Sequence, residues 1–228
     1  MRQKFKLMLI SVLAVAVIGV LQFLGCTWTA MANFPGGFSF SENFLSELGM
    51  QSQEYHTTYN GSLIFLGLSI IPSFVLLWLT NLKRLWSLTA TSILGTISGA
   101  GLIGMGVFTV EREFILHYVS LGIWMFPMLY MTISFFFAVS RSEYVGVGFL
   151  SASLLMVIAM LVVLLRAQVT SHQLLHIFVV CCGLIWFGYV IAYIWQIGFF
   201  MLKNWDRVED HTSEENVYFA TLLQDKQR

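Results

Sequence analysis

The chain has 228 residues, of which 57% are hydrophobic and only 11% are charged, and its formal net charge is zero. Soluble domains carry about a quarter charged residues, so this much apolar surface excludes an ordinary soluble globule and requires lipid around the chain. A net charge of zero gives no basis for nucleic acid as a partner. The odd count of three cysteines argues against a disulfide framework.

Six apolar segments follow one another along the chain, and each is long enough to cross a membrane. A helix crosses the hydrocarbon core with about 20 apolar residues, and no segment has a charged residue in its middle. The segments also lack the alternation of apolar and polar residues that barrel strands show. The sequence therefore predicts an all-α, polytopic membrane protein with six transmembrane helices, at about 7–27, 61–80, 88–110, 115–139, 145–166 and 173–202.

The basic residues predict which side of the membrane each connection faces. Ten of the 12 Lys and Arg residues fall in one set of alternate gaps between the segments, and such gaps face the cytoplasm. We therefore place both termini in the cytoplasm and the protein in an inner or plasma membrane. We predict one six-helix domain over 1–205 and a polar cytoplasmic tail over 206–228. The ten residues are Arg2, Lys4, Lys6, Lys83, Arg84, Arg141, Lys203, Arg207, Lys226 and Arg228.

The long outer connection after the first segment carries a helix signal of its own. Ser39-Phe40-Ser41-Glu42 fits a capping box, in which side chains satisfy the free N–H groups of a helix start. Apolar residues then recur at roughly helical spacing. The pattern predicts a short amphipathic surface helix over 40–48, with Phe44 and Leu48 packed against the bundle or lipid and Glu47 in polar surroundings.

Four of the five histidines lie on the predicted outer side, namely His56, His117, His172 and His176. His172 and His176 are four residues apart, so they project from one face of the last helix, as paired histidines do in zinc sites. Three histidines with a carboxylate or a water form a zinc site. The sequence predicts that His117, His172 and His176 bind one metal ion, with zinc as the candidate cofactor, and that His56 lies at the same depth as a further ligand.

Two carboxylates are candidate catalytic residues. Glu113 lies four residues before His117, so the two share a helix face, and Glu47 lies in the predicted surface helix. A metal ion lowers the pKa of its bound water toward about 7, and Glu47 or Glu113 would act as the general base. On this interpretation the protein hydrolyses a lipid-like substrate, and membrane lipid is its partner.

Two other functions remain open from the sequence. In the alternative to hydrolysis, the polar groups only stabilise the outer loop, and the bundle is a non-enzymatic lipid-binding or assembly scaffold. In a third interpretation, the histidines bind haem in an electron carrier. Haem is less favoured because the opposite membrane half has no histidine to hold a second group. The oligomeric state is left open.

Two motifs resemble those of a known membrane family. One is Ser41-Glu42-Asn43-Phe44-Leu45-Ser46-Glu47-Leu48-Gly49 followed by Asn60 and Gly67, and the other is Gly101-Leu102-Ile103-Gly104-Met105-Gly106-Val107-Phe108 followed by His117. Both resemble the prokaryotic family known as domain of unknown function 998, and this resemblance implies six helices and no established activity. The run Ser171-His172-Gln173-Leu174-Leu175-His176 departs from the acidic-basic pair that the family shows there. The resemblance therefore does not extend to the histidine pair.

Overall fold

The computed structural model of the protein describes residues 2–81, 86–140, 151, 154–158, 161–162, 173–203 and 205, without the side chains of 139–140 and 173–179. These residues form five long helices and one short 3-10 helix, and no strand occurs among them. The long helices are α1 (Arg2–Ala32), α2 (His56–Leu79), α3 (Trp86–Val107), α4 (Phe114–Ser140) and α5 (Gln173–Lys203), and the 3-10 helix is Leu45–Gly49.

The predicted fold class is confirmed. Five helices are long and apolar enough to cross a membrane, and each coincides with a predicted segment to within a few residues at most ends. Helix α1 differs most from its predicted segment, because its 31 residues extend beyond both predicted ends, 7 and 27. The predicted span 145–166 and the predicted tail 206–228 fall mostly or wholly outside the described residues.

Helix α3 lies at the centre of the described bundle, between α2 and α4. Its close contacts depend on glycine. A Cβ atom at Gly101 would overlap the backbone of Trp124 on α4, and one at Gly99 would lie 3.2 Å from the carbonyl oxygen of Gly67 on α2. Helices in lipid gain little from apolar side chains alone, so such small residues let the backbones approach and pack.

Helix α5 completes the bundle by packing against α1 and α2. Near its end, Gly198 allows close approach to α1, because a Cβ there would lie 2.6 Å from Leu9 Cδ2. Toward α4, contact is made by large side chains: the ring of Phe135 lies 5.6 Å from that of Trp186 and 5.2 Å from that of Tyr193. Space therefore remains inside the bundle between α5 and the other helices.

The predicted surface helix over 40–48 is wrong in its bounds and type. A short helix does form in this loop, but it is the 3-10 helix Leu45–Gly49. Ser39 starts a turn instead of an α-helix, because its carbonyl oxygen accepts the N–H groups of Glu42 and Asn43 and its own N–H donates to Asn43 Oδ1. Polar side chains that satisfy the backbone locally compete with helix formation in this way. The packing prediction holds, since Leu48 is only 1% exposed.

The two ends of the bundle differ in chemistry. We call the end with residues 33–55 and 108–113 the loop end, and the end with Arg2, Lys6 and Lys203 the basic end. The 3-10 helix lies at the loop end and contacts α1, α2 and α5. It therefore covers the space that the helices leave between them.

Candidate functional site

A cavity of about 400 Å³ lies inside the bundle under the 3-10 helix. This volume is in the range of small-molecule binding sites, about 300–1,000 Å³. Helices α2, α3, α4 and α5 form its walls, Phe23 of α1 adds to them, and residues 44–50 close its outer part. The apolar wall residues include Phe23, Tyr59, Leu63, Leu66, Ile70, Phe74, Leu102, Met105, Leu121, Trp124, Met125, Met128, Met131, Val180, Leu184, Trp186 and Phe187.

The cavity is long and narrow. Along α4 its lining runs from His117 to Met131, and along α2 it runs from Tyr59 to Phe74. At 1.5 Å per helical residue, the stretch from His117 to Met131 corresponds to about 21 Å. The cavity thus extends from the loop end into the middle of the membrane-spanning region.

His117 is the most informative polar residue of the cavity. It is 7% exposed, and its Nδ1 lies 2.7 Å from the carbonyl oxygen of Phe108. A carbonyl oxygen accepts only, so Nδ1 carries a proton and donates it. The other ring nitrogen, Nε2, has no hydrogen-bond partner among the described residues. In the neutral ring, Nε2 holds a free lone pair beside the cavity.

Glu47 brings a carboxylate to the same end of the cavity. Its Oε1 accepts the N–H group of Phe44 at 3.1 Å, and its Oε2 accepts from Asn43 Nδ2 at 2.9 Å. The carboxylate therefore caps the 3-10 helix in the manner predicted for Glu42 in an α-helix. Because a carboxylate has about four acceptor positions, Glu47 keeps capacity for a further donor.

Asn60 fastens the 3-10 helix to α2. Its Nδ2 donates to the carbonyl oxygen of Gly49 at 2.9 Å, and a Cβ at Gly49 would overlap the Asn60 side chain. A Cβ at Gly106 of α3 would lie 2.5 Å from the Asn60 carbonyl oxygen. The two glycines therefore let the loop, α2 and α3 meet at one residue. Asn60 also lines the cavity.

A second hydrogen bond at the loop end joins the connection between α1 and α2 to the connection between α3 and α4. The N–H group of Gln51 donates to Glu111 Oε2 at 2.7 Å. Both residues are solvent-exposed, so the bond contributes modestly to stability. It nevertheless holds residues 33–55 against residues 108–113, at the end of the bundle where α4 begins at Phe114.

The structure brings together only some of the predicted site residues. Glu47 and His117 both line the cavity. Glu113 is exposed, His56 is half-buried with its Nδ1 2.7 Å from the carbonyl oxygen of Gln53, and neither lines the cavity. His172 lies outside the described residues.

The predicted metal site is not assembled by the residues that can be placed. The backbone of His176 is helical, but its side chain lies outside the described part of the chain. Within the described part, no three His, Cys, Asp or Glu residues are grouped closely enough to hold a metal ion. The metal set His117, His172 and His176 therefore stays a prediction.

Sequence reasoning missed the apolar part of the site. Met125, Met128 and Met131 recur every third residue of α4 and all line the cavity. Methionine adapts to irregular surfaces and is common at binding sites that accept varied apolar ligands. This spacing was a usable signal, although methionines at such intervals also occur in ordinary helix packing. Two further polar atoms near the cavity, Thr109 Oγ1 and Trp186 Nε1, are buried without a hydrogen-bond partner in the described structure.

Comparison with protein families agrees with the motifs. The model of the family described as "Protein of unknown function (DUF998)" matches residues 17–199. The match covers most of the 228 residues, so the chain belongs to this family. No curated protein and no solved structure matches the chain.

Proposed function

We propose that this member of the family of unknown function binds a lipid-like molecule in its intramembrane cavity. The observation that carries the proposal is the cavity itself: a long space with mainly apolar walls, whose described lining includes one carboxylate and one imidazole, those of Glu47 and His117, both at the loop end. A single-chain lipid has the same division, with a hydrocarbon chain behind a polar head. Burying such a chain in an apolar protein cavity gains dispersion contacts with close-packed walls.

The length of the cavity supports a long single chain. Each carbon–carbon bond adds somewhat less than about 1.5 Å to an extended alkyl chain. A depth of about 21 Å therefore fits roughly 14 to 17 carbons. A cavity of 400 Å³ is narrow for two such chains, which favours a ligand with one.

The charges at the loop end support an uncharged head. Glu47 and His117 line the cavity, and no Lys or Arg occurs among its described lining residues. A carboxylate at the loop end of the cavity repels an anionic head, and burying an unpaired anion is costly. A hydroxyl or amide head instead can donate to the Glu47 carboxylate or to the free Nε2 of His117. We therefore propose a long-chain alcohol or a neutral lipid with a hydroxyl-bearing head as the ligand class.

The experiment is photo-crosslinking with a diazirine derivative of hexadecanol. We expect labelled peptides from α4 between Leu121 and Met131 and from α5 around Trp186, with competition by hexadecanol and much weaker competition by the anion palmitate. Leu121→Trp, which fills the cavity, should abolish the labelling. Leu116→Trp is the matched control, since Leu116 lies on the lipid-exposed surface of the same helix. Equal labelling of both variants would refute the proposal.

Metal-assisted hydrolysis of the bound molecule is a second candidate, favoured by one observation. Histidines that bind a metal usually donate the other ring N–H to a carbonyl or carboxylate oxygen, and His117 Nδ1 donates in this way to Phe108. Its Nε2 would be the ligating atom, with His172 and His176 completing the set. Elemental analysis should then find one zinc ion per chain, lost in His117→Gln and kept in His211→Gln. A wild-type protein without bound zinc would exclude this candidate and leave lipid binding standing.

A further inference from the structure

A second site lies at the basic end, where a groove runs between α1 and α5. Arg2 and Lys6 line it from α1, and Lys203 lines it from α5. All three side chains are exposed. No Asp or Glu occurs among the described residues that line the groove, and none of the three cations forms an ion pair with a described residue. Three like charges thus converge without a counter-ion from the described part of the chain.

Each helix contributes a stripe that changes from cationic to apolar. On α1, Arg2, Lys6 and Ile10 follow at four-residue intervals, and on α5, Lys203 and Phe199 do the same. Residues four apart lie on one helix face. Since α1 begins and α5 ends at the basic end, both stripes carry their charge at that end and become apolar toward the middle of the membrane.

The apolar part of the groove has a buried floor and an exposed wall. Its floor is Leu9, which is 1% exposed and packs against Gly198 of α5. Its α5 wall is open to lipid, because Trp195 is 47% and Phe199 is 59% exposed. From Lys203 to Trp195 the wall extends about 12 Å. This arrangement offers an apolar surface directly below a cluster of cations.

We propose that this groove binds one anionic phospholipid. The phosphate would pair with Arg2, Lys6 and Lys203, and the first part of an acyl chain would lie over Ile10 and the Phe199–Trp195 wall. Arg and Lys pair with phosphate through charge-assisted hydrogen bonds, and basic grooves between membrane helices recognise anionic lipid heads. A soluble phosphate would use the cations but would leave the apolar wall uncovered. The site lies at the opposite end from the cavity and does not depend on the function proposed for it.

The test is quenching of tryptophan fluorescence in the purified full chain by brominated lipids. Brominated phosphatidylglycerol should quench at lower concentration than brominated phosphatidylcholine, and Trp195→Phe should remove this difference. Lys6→Gln should weaken phosphatidylglycerol binding by about fivefold, the effect of one surface cation. Lys4→Gln is the control, because Lys4 carries the same charge on the same helix but does not line the groove.

The same assay separates a lipid from a soluble anion. Inorganic phosphate at millimolar concentration should leave the quenching by brominated phosphatidylglycerol almost unchanged. Full displacement by phosphate would overturn the lipid assignment, and so would equal quenching by the two lipids in the wild-type protein. Equal weakening in Lys6→Gln and Lys4→Gln would show general attraction to the basic end and would also overturn it.

Discussion

The side-chain amide of Asn60 donates a hydrogen bond to the carbonyl oxygen of Gly49 across 2.9 Å. This bond joins the first turns of α2 to the end of the 3-10 helix that covers the cavity. Glu47 caps the other end of the same 3-10 helix through the N–H group of Phe44. The motif residues between Glu47 and Asn60 therefore serve first to hold the cover of the cavity in place.

Loss of the Asn60 bond should loosen that cover. Asn60→Ala removes one partly buried hydrogen bond, which contributes about 1 kcal/mol, and leaves the Gly49 carbonyl without this donor. We expect faster amide hydrogen exchange over residues 44–50 and unchanged exchange in the middle of α3. Protection equal to that of the wild-type protein in this segment would show that the bond does not hold the loop.

A larger residue at Gly106 should separate α3 from α2. The new Cβ of Gly106→Ala would lie 2.5 Å from the Asn60 carbonyl oxygen and 3.2 Å from the Ile64 nitrogen, so backbone must move. Overpacking of this kind costs about 1–3 kcal/mol, and we expect a lower midpoint of thermal unfolding in detergent. Gly188→Ala is the control, because a Cβ at Gly188 meets no atom within 4 Å. Equal midpoints for the two variants would contradict the packing described for Asn60.

The charge of Glu47 should select the head of the ligand. Glu47→Gln keeps an oxygen that accepts the Phe44 N–H group, so the 3-10 helix should persist, but the negative charge at the cavity is lost. We expect palmitate to compete more strongly against the photoactivatable hexadecanol in this variant than in the wild-type protein. Unchanged competition by palmitate would show that Glu47 does not exclude anions.

The distribution of basic residues predicts the orientation in the membrane. In a background without native cysteines, cysteine at position 50 or 112 should react with an impermeant thiol reagent on intact cells, and cysteine at position 84 or 215 should not. The loop end and its cavity would then face outward. The opposite labelling pattern would place the cavity on the cytoplasmic side and the basic groove in the outer leaflet.

The helices could be predicted from the sequence, because crossing a membrane requires a long apolar run that few other structures need. The central place of α3 could be inferred as well, from its glycines. The cavity could not, since its volume depends on how far α5 lies from α3 and α4, and no local pattern encodes that distance. The predicted surface helix is misplaced because the hydrogen bonds between Ser39 and Asn43 hold residues 39–43 in a turn and not in an α-helix.

The candidate site could be predicted only in part from the sequence. The sequence indicates His117 and Glu47 as site residues because ionisable groups at membrane sites are often functional, and both line the cavity. Glu113 would share a helix face with His117 only if α4 extended toward the N-terminus to include Glu113. In the structure α4 begins at Phe114, so Glu113 lies before the helix and is exposed.

Native mass spectrometry of the gently extracted protein tests the central claim most directly. We predict a retained adduct whose mass fits one uncharged single-chain lipid in the wild-type protein and in Leu116→Trp, and the loss of this adduct in Leu121→Trp. The same adduct on all three proteins, or only two-chain phospholipid on the wild-type protein, would contradict the assignment of the cavity as a binding site for a single-chain neutral lipid.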